Sequence, residues 1–400
     1  MSDLLEFDVI ISGAGPAGTS CAIHLIESGL KIAIIEKSEF PRDKICGGGL
    51  SDRATNALKR MPFDIWNNFL NNCNHLPIEG ISITSPKQET ATLSCPATYG
   101  YTIKRKEFDA FLLSEAMKSK NIKLFQNEKS ISFEYSKDKI IVKTSRQKIK
   151  AKLLIIADGF NSLLVKKTEL INYKAKDAAV CIQSVFQNSL QNNLTKNIEL
   201  YYPSRCLPLY FWFFPLHDGT VNIGFGVKSK ILRKEKKHIL EIYQDLLSTD
   251  KYVQQKLSGM KQISEPQINL LPIQKINNRY STKNIMITGT AAMLVDPISG
   301  EGIGNAMLSG EFAAIQTLKC FRENNFQASF IKNYDASLKR RLSTEFRRNR
   351  ILLELFNFEW LINKSVKKVN KNIIFKNKIE EMLIKNSSRW KLLNPFFYWG

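Results

Sequence analysis

Apolar positions along the 400 residues fall into two periods, and each period predicts elements. The run at 7–12 is apolar until it meets glycine, and it predicts a buried strand. Small and apolar residues then recur at helical spacing (Ala17, Cys21, Ala22, Leu25). They predict a helix over 16–28 with Gly29 at its C-cap. "KIAIIE" at 31–36 predicts a second buried strand, so strand, helix and strand follow within about 30 residues as a βαβ unit. Further on, the pattern predicts a helix over 107–120 and a hairpin over 139–159 whose last strand is fully buried. It also predicts a buried strand at 284–289 and a helix over 302–322. From about 175 to 270 the pattern alternates and is rich in aromatics, with one helix near 234–248, which predicts an antiparallel sheet. Residues 331–390 read as helical throughout.

The strand–helix pieces are scattered, so one domain is assembled from distant segments and the antiparallel part is an insertion. The predicted fold class is α/β plus antiparallel β, with a helical C-terminal tail. The expected division is 1–75, 101–174 and 271–330 for a Rossmann-like domain, 76–100 and 175–270 for an antiparallel-sheet substrate domain, and 331–400 for a basic helical region.

Composition narrows the setting. Seven cysteines show no CxxC or CxH spacing, so neither a disulfide framework nor a metal site is expected and a reducing cytoplasm is. No basic, apolar leader opens the chain, and no apolar run approaches the roughly 20 residues that cross a bilayer. The net charge is +21. Residues 331–400 carry 16 Lys and Arg against 6 Asp and Glu, a net +10, and hold Trp360, Trp390, Phe396, Phe397 and Trp399. A basic, aromatic tail suits an anionic membrane surface. A nucleic-acid partner is not expected, because no module with base-facing aromatics is present.

The candidate chemistry starts at "GAGPAG", 13–18, which places GxGxxG between strand and helix. Gly13 allows the tight turn, Gly15 close approach of a pyrophosphate, and Gly18 close helix packing. The helix N-terminus, with Ala17 in its first turn, then faces the phosphates. Glu36 ends the second strand, where a carboxylate binds ribose hydroxyls; Lys37 follows it. "KICGGGL", 44–50, sets three glycines after Cys46, a run that calls for something to approach this backbone too closely for a side chain. "LYFWFFPL", 209–216, alternates Tyr210, Trp212 and Phe214 on one face with Phe211 and Phe213 on the other. The second pair reads as core. Tyr210, Trp212, Phe214 and Pro215 read as the wall of an apolar tunnel. The four histidines have no metal spacing.

Together with "RKEFDAFL" (105–112), "LLIIADGFNS" (153–162) and "MITGTAAMLVDPISGEGIGNAM" (286–307), these stretches resemble the flavoprotein superfamily of p-hydroxybenzoate hydroxylase-like fold. Within it they are most similar to the geranylgeranyl reductase family, through "KICGGGLS", Tyr210-x-Trp212-x-Phe214-Pro215, "DGTVNIGFGV" and Asp296-Pro297 with "GEGI". The resemblance spans about residues 7 to 325. It implies FAD held by Gly13, Gly15, Ala17, Gly18, Glu36, Lys37, Cys46, Gly47, Gly48, Arg105, Asp158, Gly159, Thr290, Gly300, Gly302, Ile303 and Gly304. It implies transient NAD(P)H or another small electron donor. The implied activity is reduction of carbon–carbon double bonds in an isoprenoid or lipid-like chain by hydride from flavin N5. Cys46, Tyr210 and water are the candidate proton sources. Two residues depart from the family pattern. Thr290 stands where an aspartate is usual, which implies weaker FAD binding or a shifted potential, and Val165 stands where an arginine is usual. A flavin monooxygenase or halogenase, and a low-turnover flavin-binding membrane-associated protein, are the alternatives.

Overall fold

The computed structural model describes residues 4–94, 100–171, 178–188, 196–273 and 279–384. At its centre lies a six-stranded sheet in the order Ser281–Thr282, Ile285–Ile287, Leu153–Ile156, Val9–Ser12, Ile32–Ile35, Ile122–Phe125. All neighbours are parallel except the first pair. The middle strands have no polar face to turn to water, and Val9, Ile10, Ile11, Leu154 and Ile155 are fully buried.

Seven helices position the site: α1 (Pro16–His24), α2 (Asp52–Arg60), α3 (Arg105–Ala116), α4 (Ile303–Arg322), α5 (Ala328–Leu355), α6 (Glu359–Lys371) and α7 (Ile373–Ile384). Helix α4 packs on α1, α2 and α5. The crossing with α1 is close because small residues face each other: Ser20 Oγ donates to the Met307 carbonyl at 2.8 Å, and a Cβ on Gly310 would stand 2.3 Å from the Ala17 carbonyl.

The second large sheet runs Met260–Gln262, Ala178–Asn188, Thr220–Lys228, Phe211–Pro215, Asn197–Tyr201, Gly80–Thr84, Thr90–Ser94, with Gln267–Pro272 also on Ala178–Asn188. It is antiparallel except where Asn197–Tyr201 meets Gly80–Thr84. One of its faces carries a separate core of Phe211, Phe213, Ile223, Phe225 and Tyr243. Two small sheets complete the fold, one of them Gly49–Leu50, Gly100–Thr102 and Leu76–Ile78.

Three elements differ from the pattern reading. The expected hairpin 139–159 is divided: Lys139–Thr144 and Lys148–Ala151 pair in a four-stranded sheet, whereas Leu153–Ile156 enters the parallel sheet. The single helix near 234–248 is three, Ser229–Glu235, Ile239–Thr249 and Lys251–Leu257. Lys236 in the left-handed region ends the first, and Asp250 caps the third by accepting from the Tyr252 and Val253 amides. The helical stretch 331–390 is broken near 356–358 and at Asn372, whose side chain accepts from the Phe375 amide. Trp390, Phe396, Phe397 and Trp399 lie outside the described residues.

Helix α5 is not a surface appendage. Its Ile331, Tyr334, Leu338, Leu342 and Phe346 belong to the main core. Helices α6 and α7 pack on the edge strand Thr90–Ser94, where the Ser94 amide donates to Glu380 at 2.8 Å and Asn370 donates to the Thr90 carbonyl at 3.0 Å.

Candidate active site

The glycine turn after the first strand has the shape of a phosphate cradle. Gly13 has φ +107°, and a Cβ there would overlap the Ala157 carbonyl at 2.4 Å. A Cβ on Gly18 would stand 1.9 Å from the Gly13 carbonyl. Gly15 is different, because a Cβ there would meet only Arg42 Nη2, at 3.7 Å. Packing demands glycine at 13 and 18 but leaves room at 15. No described side chain caps α1, which begins at Pro16, so the amides of its first turn are presented to a ligand.

The neighbours fit a dinucleotide bearing hydroxyls. Glu36 is buried and accepts from the Ala14 amide at 2.9 Å and the Ser38 amide at 3.2 Å. Asp158 touches Gly13 through its backbone, and its buried Oδ1 has no hydrogen-bond partner among the described residues. Burial pushes the Asp158 carboxyl up to about 6. An orphaned acceptor beside a phosphate cradle suits ribose or ribityl hydroxyls. Gly159 has open space above it, Lys37 is exposed, and Thr290 is the second residue of the short helical turn Gly289–Ala292 beneath α1.

Arg105 is buried and grips Asp109, one turn along α3, with Nε–Oδ1 and Nη2–Oδ2 both 2.8 Å. Burial opposes the Arg105 charge, but Asp109 outweighs it and raises the guanidinium above its usual range. Arg42 donates to Asp109 at 3.0 Å and lies 3.6 Å from Glu36. The relay Arg105–Asp109–Arg42–Glu36 therefore ties α3 to the cradle.

The triple glycine lines a cavity of about 470 Å³. Cys46, Gly47, Gly48, Tyr210, Trp212, Phe214, Gly300, Gly302 and Ile303 all reach its wall. Gly48 has φ +83°, and a Cβ there would overlap the Ile103 carbonyl. Cβ atoms on Gly47 and Gly49 would press on the Phe214 ring at 3.0 and 3.4 Å. The glycines are thus required by close packing against a strand and an aromatic ring, besides any ligand. Trp212 Nε1 donates to Asn222 at 2.8 Å, and the Tyr210 hydroxyl to the Ser299 carbonyl at 2.6 Å. Burial pushes the Tyr210 hydroxyl well above its ordinary range, so it holds its proton and fixes the 296–302 loop. Pro215 does not reach the cavity: it pairs with Val221, and its carbonyl accepts from Thr102. Gly304 turns from the cavity toward the backbone of Ala54.

The distal wall comes from helices that the sequence assigned only to a basic tail. Leu352 and Phe356, then Leu361, Val366, Val369, Phe375 and Met382 of α6, α7 and their approach line it. Their spacing was visible as an apolar stripe, but a stripe does not say whether it faces a core or a hollow.

A parallel sheet with a phosphate cradle, joined to an aromatic-walled antiparallel sheet, defines a nucleotide-dependent enzyme architecture. The chain belongs to the FAD binding domain family, whose pattern it matches over residues 6–348. It is 27% identical to digeranylgeranylglycerophospholipid reductase 2 of Methanosphaera stadtmanae over 346 residues, 83% of this chain and 82% of that one. It is also 27% identical to menaquinone reductase of Mycobacterium tuberculosis over 320 residues, 77% of this chain and 75% of that one. A geranylgeranyl bacteriochlorophyll reductase-like protein of Thermoplasma acidophilum has the same fold, with TM-score 0.79 and 23% identity over 91% of each chain.

Proposed function

We propose that the protein is an FAD-dependent oxidoreductase that saturates carbon–carbon double bonds of an isoprenoid or similar lipid-like chain. The observation that carries this reading is the apolar cavity that runs from the glycine loop and the start of α4 to α6 and α7. Bound FAD supplies hydride at its N5. The amides of α1 take the pyrophosphate, Glu36 and Asp158 take hydroxyls, and Gly47 and Gly48 let the ring lie against backbone. The start of α4 at Gly302–Gly304 has no side-chain cap, so its amides would favour negative charge on a ring held there. Tyr210, Trp212 and Phe214 align the chain and keep water out. Alignment matters because an isolated alkene is a poor hydride acceptor. NAD(P)H or a small electron carrier renews the reduced state. Mass spectrometry of lipids and quinones from cells with and without this protein tests the reading. Species heavier by two hydrogens, or multiples of two, are expected only with it, and oxygenated or halogenated species in their place would contradict it.

Such a substrate resides in a membrane, and the same reading places α6 and α7 against one. No described helix is long and apolar enough to cross a bilayer. Trp360, Ile373 and Ile374 are nevertheless 58%, 66% and 65% exposed, beside Lys364, Lys367, Lys371 and Lys376. Apolar tips within a basic surface suit peripheral docking on anionic lipid. Replacing Ile373 and Ile374 together by glutamate is expected to weaken binding to anionic vesicles at least tenfold in a sedimentation assay, since each lost insertion costs about 1–2 kcal/mol. Unchanged binding would remove these helices from the membrane face.

A further inference from the structure

Beside the cavity, where the 296–302 loop turns into α4, three carboxylates crowd one arginine. Arg53 on α2 is buried and donates to Asn305 of α4 and Glu345 of α5. Asp296 is fully engaged: Oδ1 accepts from the Ile298 amide at 3.0 Å and from the Ser299 amide and hydroxyl at 2.9 Å, and Oδ2 accepts from Asn349. Glu345 has Arg53, with Arg341 at 3.7 Å. Glu301 is the exception. It reaches the cavity wall, and its buried Oε1 has no hydrogen-bond partner among the described residues. That oxygen folds over the start of α4, where a Cβ on Gly304 would stand 2.4 Å away.

The groups facing Glu301 are Arg53 and Asp52 on α2, the Ser51 hydroxyl just before that helix, and Asp296 on its own loop. Arg53 is shared with Glu345 and lies near Asp296, so it is not free to serve Glu301 alone. A further buried negative charge at that point is costly. We propose that Glu301 is the acid of the reaction, a neutral carboxyl on the cavity wall that protonates the alkene carbon not reached by hydride. In accord with this, burial pushes the Glu301 carboxyl up to about 7, against the pull of Arg53. A pKa near working pH suits a group that must give and regain a proton each cycle.

The inference rests on the proposed alkene reduction, and the step balances. The hydride supplied by the flavin forms one C–H bond, and the alkene π pair forms the other with the Glu301 proton. The O–H electron pair stays on Glu301 as carboxylate. The alkene gains two electrons, which NAD(P)H or the electron carrier restores, and water returns the proton.

The test joins two readouts on the full chain. Infrared titration of the apoprotein is expected to show a carboxylic C=O band that disappears near pH 7 in wild type and is absent in Glu301→Gln. With FAD and a geranylgeranyl lipid, Glu301→Gln is expected to lose at least 100-fold in kcat with FAD affinity and KM within about twofold. Glu301→Asp is expected to recover part of the rate with a shifted pH profile. Absence of the band in wild type, or a Glu301→Gln enzyme with wild-type rate and pH profile, overturns the inference and leaves the reductase reading standing. If wild type reduces no alkene, the reductase reading fails and the proton-donating step falls with it. The band would then still show whether Glu301 holds the proton.

Discussion

Gly18→Val is expected to abolish FAD binding and to destabilise the apoprotein by about 3 kcal/mol or more. Its side chain would begin 1.9 Å from the Gly13 carbonyl and 3.0 Å from Ile11 Cγ2, inside a turn that carries the first strand into α1. Neither neighbour can yield: Gly13 is wedged on Ala157, and α1 is held to α4 through Ser20 and Gly310. Overpacking of this kind costs 1–3 kcal/mol in an ordinary core and more against backbone, a large share of a typical 5–15 kcal/mol stability. Gly15→Ala is the contrast. Its Cβ meets only Arg42 Nη2 at 3.7 Å, so the apoprotein keeps its stability while FAD affinity falls at least tenfold. Thermal unfolding of both apoproteins and titration with FAD check the pair. Equal destabilisation by both would show that the space at Gly15 is not kept for the cofactor.

Arg53→Met is expected to cost roughly 3–5 kcal/mol at pH 8, because it leaves the buried Glu301 without its cation and Glu345 without its bonded partner. Burial opposes the Arg53 charge, but Glu301 and Glu345 outweigh it and hold the guanidinium above its usual range. The pH dependence has a definite sign. Glu301 is raised in the folded protein from an ordinary 4.5 to about 7, so the folded state takes up protons more readily than the unfolded one. Its contribution is therefore unfavourable above about pH 7, and the penalty fades as pH falls toward 4.5. In Arg53→Met the Glu301 carboxyl rises further, so the loss is largest at pH 8 and smaller at pH 5. Glu301→Gln runs the other way, with an apoprotein more stable than wild type at pH 8 and level with it near pH 4.5. Melting curves at several pH values decide, and a deficit in Arg53→Met that ignores pH would contradict the cluster's assigned charges.

The nucleotide half of the molecule was legible because its signals are local. A glycine turn between two apolar runs, with Glu36 at the end of the second, specifies strand, cradle and helix within about 30 residues. The strand Phe211–Pro215 was equally readable, since period-two alternation separates Phe211 and Phe213, which meet the second core, from Trp212 and Phe214, which meet the cavity. Other features depend on distant partners. Leu153–Ile156 reads as a continuation of a hairpin, and only the parallel sheet explains why it leaves. No spacing in the sequence announces that α3 brings Asp109 to Arg42. Arg53, Asp296, Glu301 and Glu345 are gathered from four segments, and no spacing announces them. The one signal within reach was Glu301 itself, a carboxylate set between glycines at the head of a buried helix. Residues 361–382 read only as part of a basic helical region, because an apolar stripe looks the same whether it closes a core or a cavity.

A lipid chain in this cavity is expected to take hydride from the flavin. Holoenzyme reduced with dithionite and mixed with a geranylgeranyl lipid under strict anaerobiosis tests it most directly. The oxidised-flavin absorbance is expected to return as the lipid gains two hydrogens per flavin, and Gly47→Leu, which fills the contact with Phe214, is expected to abolish the return. A flavin that stays reduced until oxygen is admitted, with the lipid unchanged or oxygenated, would contradict it.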